Sequence, residues 1–288
     1  MQNTSIYHDI ATRTGGDIYL GLVGPVRTGK STFIKRFMET LVIPNIEDVY
    51  ARERAKDELP QSGSGRTIMT AEPRFVPEDA VNVTLDGGVS FSVRLIDCVG
   101  YMVDGASGQF EDGAERMVAT PWFDEEVPMS RAAEEGTRRV VTDHSTIGVV
   151  MTTDGSVCGI ERESYVPAEE RVVGELREIG KPFVLVLNSA DPSGEAAQEL
   201  RAELADKYGV ACVCVNCLNL TAEDIDEILK LALYEFPIAE LGIYLPSWLD
   251  ALGADSPLRG DMLSGIAEAV QGMSRVRDAF SIMDAHGG

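Results

Sequence analysis

Apolar positions crowd into Asp17-Ile18-Tyr19-Leu20-Gly21-Leu22-Val23, stop at Gly24, and resume after Lys30 at Phe33, Ile34, Phe37 and Met38. The first run has the length of a strand and the second the spacing of a helical face, so the pattern reads strand, glycine-rich turn, helix. Phe75 to Leu85 and Ser90 to Ile96 alternate as a hairpin across Asp86-Gly87-Gly88, residues that tolerate positive φ. Further on, continuous apolar runs at Ile147–Met151, Phe183–Leu187 and Ala211–Val215 suit strands buried on both faces, as in a parallel sheet. Helical faces lie between and after them, at Val172, Val173, Leu176 and Ile179 and at Ile225, Ile228, Leu229 and Ala232. Thr221 with Asp224 predicts an acidic capping box at the start of the last of these. Strands alternating with helices give an α/β fold with a mostly parallel, doubly wound sheet.

Two stretches break the rhythm. Tyr101 to Arg131 is rich in Gly, Asp and Glu around Pro121-Trp122-Phe123, and its length predicts a mobile functional loop. Beyond Phe236-Pro237 the alternation ends, leaving an aromatic-rich stretch from Leu241 to Leu252 and a predicted helix from Leu258 to Phe280. This tail is too short for a core of its own, so residues 1–236 are expected to form one domain and 237–288 the beginning of a second that the chain does not complete.

Charge narrows the partners. Lys and Arg number 25 against 47 Asp and Glu, a net charge of −22 that opposes nucleic-acid binding and direct docking on an anionic membrane. The sequence has no run of eighteen apolar residues and begins with a polar stretch unlike a signal peptide, so a cytoplasmic protein is expected. The five cysteines include the pair Cys214 and Cys217, but without a second ligand pair these read as buried strand thiols and not as a zinc site.

The chemistry sits in Gly24-Pro25-Val26-Arg27-Thr28-Gly29-Lys30-Ser31, which matches G-x-x-x-x-G-K-[ST] at every position. A diphosphate needs several backbone N–H groups aimed at one point, and a glycine-rich turn running into a helix supplies them. Lys30 adds charge at the β and γ phosphates, and Ser31 offers a hydroxyl to Mg²⁺. Candidate nucleotide contacts are therefore Gly24, Arg27, Thr28, Gly29, Lys30, Ser31 and Thr32. Asp97, after the run Arg94-Leu95-Ile96, stands where a strand would deliver a second carboxylate to the ion, and Gly100 completes a D-x-x-G whose glycine N–H would face the γ phosphate. In the segment 63–70, Thr70 is the candidate sensor of Mg²⁺ and the γ phosphate, with Thr67 its competitor.

Two positions depart from a GTPase pattern. Tyr101 follows Gly100 where a glutamine would orient the attacking water, which leaves Gln109, a loop carboxylate or a group supplied in trans by self-association. Asn188-Ser189-Ala190-Asp191 stands where a guanine-reading N-K-x-D belongs, with its lysine replaced by Ser189. Asn188 and Asp191 remain candidate base contacts, and both adenine and guanine stay open.

Taken together, G-P-V-R-T-G-K-S, R-T-I-M-T-A-E-P-R-F-V-P, L-I-D-C-V-G-Y, A-T-P-W-F, D-H-S-T-I-G-V-V-M-T-T-D-G-S and L-N-S-A-D-P resemble the stage IV sporulation protein A family over essentially the whole chain. The resemblance implies a P-loop fold of the GTPase-like (TRAFAC) type that uses ATP and Mg²⁺. In it Lys30 is the Walker A lysine, Asp97 the Walker B carboxylate and Thr70 the sensor, Ala71 standing where relatives often have a second threonine. It further implies hydrolysis-driven polymerisation into the basement of the spore coat, in the mother-cell cytoplasm at the outer forespore membrane. Expected partners are further copies of itself, a small amphipathic membrane-anchoring peptide and other coat proteins. Two other readings compete on the residues: a GTPase switch, from Asn188 and Asp191, and a statically bound structural nucleotide, from Tyr101.

Overall fold

Six strands form one sheet: β1 Asp17–Val23, β2 Arg74–Thr84, β3 Ser90–Asp97, β4 Ile147–Thr153, β5 Phe183–Asn188 and β6 Cys212–Val215. The structure, a computed structural model, describes residues 3–60, 73–84, 90–106, 110–111, 114–245, 247–249, 252–253 and 256–279. The sheet order is β6-β5-β4-β1-β3-β2, every neighbouring pair parallel except the antiparallel edge pair β3–β2. Every residue of β4 and β5 is buried, which is why these strands read as unbroken apolar runs.

The helices are α1 Asn3–Thr14, α2 Lys30–Phe37, α3 Val49–Asp57, α4 Met129–Arg139, α5 Val166–Ile179, α6 Glu195–Tyr208, α7 Ala222–Tyr234 and α8 Pro257–Val270. The predicted capping box at α7 is present, with Asp224 Oδ2 accepting from Thr221 N at 2.9 Å and Thr221 Oγ1 accepting from Asp224 N at 3.2 Å. Helix α3 is polar nearly all round and starts on Asp48, whose side chain accepts from Tyr50 N at 2.7 Å and Ala51 N at 3.0 Å.

Two expectations change. The stretch from Tyr101 to Arg131 carries two short antiparallel ribbons, Phe110–Glu111 with Ala114–Glu115 and Met117–Val118 with Val127–Pro128, and α4 already begins at Met129. Its aromatic tip is docked: Gly136 on α4 leaves space that a Cβ would take from the Trp122 ring at 3.0 Å, and the Arg131 guanidinium lies 4.7 Å from the Phe123 ring centre. The tail helix ends at Val270 and not at Phe280, because Gly272 turns the chain with φ +92° and the next residues bridge back, Arg275 opposite Pro237.

By its internal contacts the chain divides into Met1–Leu233 and Tyr234–Gly288. The first unit holds the sheet and its core, in which Val23, Ile96, Val150, Leu187 and Tyr165 are fully buried or nearly so. In the second, the buried Glu235 carboxylate pairs with Arg275 and, at 2.8 Å, with Arg277.

Register decides where chemistry can occur. Leu22 lies opposite Asp97, Val23 opposite Val150, Thr153 opposite Asn188 and Asn188 opposite Val215. The carboxyl ends of five strands therefore meet along one edge, the place where open α/β sheets bind ligands.

Candidate functional site

The loop leaving β1 approaches the sheet so closely that side chains are excluded. Gly24 has φ +131°, and a Cβ there would meet the Met151 carbonyl oxygen at 2.2 Å. The loop then extends the ladder: Tyr101 N donates to Gly24 O at 3.2 Å and Val26 N to Tyr101 O at 2.8 Å. Thr28, fully buried, donates its hydroxyl to Pro25 O at 3.0 Å. Gly29 opens α2 at φ +96°, and Ser31 and Thr32 follow, half-buried, in the first turn.

Lys30 is only 5% exposed and donates to Pro25 O at 2.7 Å. Burial drives its ammonium down to about 8, against the opposing pull of Asp97 and Cys98. Ser31 Oγ donates to Asp97 Oδ2 at 2.6 Å. Burial also raises the Asp97 carboxyl, offset by that hydrogen bond and by the charges of Lys30 and Arg74. Gly100, at φ +90°, leaves room for the lysine, since a Cβ there would lie 2.5 Å from Lys30 Nζ.

One sequence candidate points elsewhere. The Tyr101 side chain is buried and hydrogen-bonds the Glu175 carboxylate on α5, with the Arg171 guanidinium 5.1 Å from its ring centre. It is therefore committed to the core beneath the loop. Asp191 is exposed and accepts from Ser193 Oγ at 3.3 Å, with its own N–H held by Ser189 Oγ at 3.1 Å. Thr70, Thr67 and Gln109 lie outside the described residues.

Asn188 is structural as much as functional. Its Nδ2 donates to Thr28 O and its Oδ1 accepts from Cys217 N, both at 3.0 Å, so one side chain ties the phosphate loop to the segment after β6. Ser189, in the lysine position, donates to Asp154 Oδ2 at 2.6 Å. Burial raises the Asp154 carboxyl, but hydrogen bonds from Ser156 and Ser189 outweigh it and hold the group below the usual range.

Several polar neighbours of the candidate site lie outside the residues that the sequence marks. Asp154 and Asn216 buttress the Asn188–Asp191 loop, and Thr152, Arg162, Glu169 and Tyr208 form a buried polar cluster behind β4. An Asx residue at a strand end is the one local signal, and it is shared with ordinary turns.

The donor set fits a triphosphate with a divalent cation. Besides the lysine and the Ser31–Asp97 pair, Arg27 stands in the loop at φ +66° with its Nε buried and without a hydrogen-bond partner, an unmet donor beside a loop built for anions. Ser31 and Asp97 are the groups able to hold Mg²⁺.

Comparison with known proteins agrees with this geometry. Residues 1–237 match the family described as "Stage IV sporulation protein A, ATPase domain". The chain is 49% identical over 281 residues to stage IV sporulation protein A of Clostridioides difficile (strain 630), covering 98% of this chain and 57% of that protein. It is 49% identical over 283 residues to the protein of that name from Bacillus subtilis (strain 168), covering 98% of this chain and 58% of the relative. The chain thus spans a little under three fifths of the length of these relatives. With the phosphate loop, its buried lysine and the Ser31–Asp97 pair in one place, the chain belongs to the stage IV sporulation protein A family and carries its ATPase domain.

Proposed function

We propose that this chain binds ATP with Mg²⁺ in the loop Gly24–Ser31, hydrolyses it, and uses hydrolysis to drive polymerisation into the basement layer of the spore coat. The observation that carries the proposal is the 2.6 Å contact between Ser31 Oγ and Asp97 Oδ2 beside the buried Lys30 ammonium. Held by Ser31 and Asp97, Mg²⁺ would supply charge neutralisation to the triphosphate. The chain's own part is positional: loop N–H groups hold the phosphates, Lys30 faces the developing negative charge, and Gly100 keeps the approach open. Thr70 is assigned as the sensor from sequence. With Tyr101 turned into the core, the group that orients water comes from another segment or another copy.

The GTPase-like class is supported by the antiparallel edge strand β2 and by the Asn188 tie to the phosphate loop. A guanine-reading switch is the second reading, favoured by that same asparagine and opposed by Ser189, which is bound to Asp154. We place the domain limit at 236/237. Residues 237–288 are assigned to a second domain.

The same proposal includes action in the mother-cell cytoplasm at the outer forespore membrane, through an amphipathic anchoring peptide and other coat proteins. The net charge of −22 favours such indirect contact and disfavours nucleic acid. Among the described residues no helix is long and apolar enough to cross a membrane.

Sedimentation after incubation with ATP or with a non-hydrolysable analogue tests the assembly step. Pelleting that needs hydrolysis is the expected result, and equal pelleting with the analogue overturns the link.

A further inference from the structure

Asn188 joins Thr28 to Cys217, so the carboxyl ends of β5 and β6 stand beside the phosphate loop, where a purine can reach them. Two short segments line that end, Ser189–Asp191 after β5 and Cys217–Asn219 after β6. All six of their backbone N–H groups are already used within the protein. Ser189 N donates to Val215 O at 3.0 Å, Ala190 N to Ser156 Oγ at 2.9 Å and Asp191 N to Ser189 Oγ at 3.1 Å. Cys217 N donates to Asn188 Oδ1 at 3.0 Å, Leu218 N to Asn216 Oδ1 at 3.0 Å and Asn219 N to Asn216 O at 2.9 Å.

This surface offers acceptors without a spare backbone donor. Guanine brings a carbonyl oxygen at position 6, which needs a donor. Adenine brings an amino group there, which needs an acceptor, and the exposed Asp191 carboxylate is one. A buried carbonyl left unmet costs roughly tenfold to a hundredfold in affinity. Base choice in such a site follows from which donors the protein withholds.

Three of the six N–H groups are held by side chains with no part in the strand ladder or in the tie to the phosphate loop, Ala190's by Ser156, Asp191's by Ser189 and Leu218's by Asn216, and of these three side chains Asn216 is the one that also bonds the other segment. Asn216 accepts from Leu218 N through Oδ1 and donates through Nδ2 to Ala190 O at 3.2 Å, so both of its polar ends are engaged. We propose that Asn216 sets the adenine preference of this site by capping the Leu218 amide, withholding the donor that a guanine carbonyl requires. The inference rests on the ATP reading above and adds the residue that enforces it. Ser189 accounts for the missing lysine; Asn216 accounts for the missing donor.

Affinity and phosphate release are measured for ATP, GTP and inosine triphosphate with the wild-type chain, Asn216→Ala and Asn216→Asp. The wild type prefers ATP and rejects inosine triphosphate as strongly as GTP, because the two share the 6-carbonyl and differ at the 2-amino group. Asn216→Ala frees the Leu218 amide and moves the GTP-to-ATP affinity ratio upward at least about tenfold. Asn216→Asp keeps the capping oxygen, loses the donor to Ala190 and retains the wild-type ratio.

A ratio unmoved in Asn216→Ala, or moved equally in both variants, overturns the inference. So does inosine triphosphate binding like ATP to the wild type, a result that needs no variant to fold. A wild type that neither binds nor turns over ATP removes the functional reading itself and is distinguishable from all of these.

Discussion

Ser31 Oγ donates to Asp97 Oδ2 at 2.6 Å, joining the second residue of α2 to the last residue of β3. The pair exists because β3 runs parallel beside β1, with Asp97 opposite Leu22, so the strand that ends at the phosphate loop brings its neighbour's carboxylate level with the helix start. Asp97→Asn keeps the shape and a hydrogen-bond acceptor for Ser31 while removing the charge a divalent cation needs. The Mg²⁺ concentration for half-maximal turnover should rise at least about tenfold, with nucleotide binding in chelator unchanged. A magnesium titration of both proteins decides it.

Lys30 links the site to pH. Its folded value is lowered to about 8 from an ordinary 10.5, so between these values the unfolded chain holds more protons than the folded one. Stability contributed by this group therefore rises with pH across that window, and below about 8 the buried ammonium is a fixed cost. Lys30→Met lacks the term. The melting-temperature advantage of Lys30→Met over wild type should shrink as pH climbs from 8 toward 10.5, and a constant or widening gap would sink the account.

Tyr101 occupies the position of a water-orienting residue but points at Glu175. Tyr101→Gln should not speed phosphate release, because the side chain at this position leaves the loop toward α5. It should lower stability by about 3 kcal/mol, through lost aromatic burial and a lost hydrogen bond to Glu175, whose carboxylate keeps Arg171 at 3.3 Å. Denaturant unfolding and turnover on the same preparation separate the two effects, and a gain in rate would show that the side chain can swing into the site.

Glu169, whose side chain is 0% exposed, accepts from Thr152 Oγ1 at 2.5 Å and Tyr208 OH at 2.8 Å and pairs with Arg162 at 2.8 Å. Arg162→Met leaves that carboxylate without its cation and should cost about 3–5 kcal/mol. Adding Glu169→Gln should recover much of the loss. A double variant no more stable than Arg162→Met would mean that the pair is not what holds the end of β4.

What the sequence made legible is what lies close along the chain. The phosphate loop is eight consecutive residues, Asp97 ends an apolar run, and the Thr221–Asp224 box spans four positions. Other contacts join residues far apart in the chain: Ser189 with Asp154 over 35 residues, Asn216 with Ala190 over 26 and Tyr208 with Glu169 over 39. Helix α3 carries almost no apolar stripe, so periodicity passed over it and only the Asp48 cap marks its start. The loop around Trp122 looked like free chain because the groove at Gly136 that receives its ring belongs to a later helix.

The central claim is that this site hydrolyses ATP with Lys30 at its centre. Steady-state phosphate release from ATP and from GTP, measured for wild type and Lys30→Ala at saturating Mg²⁺, tests it most directly. The account predicts release from ATP in preference to GTP, reduced at least about a hundredfold by the substitution. Strong preference for GTP, or ATP turnover that survives loss of the lysine, would contradict it.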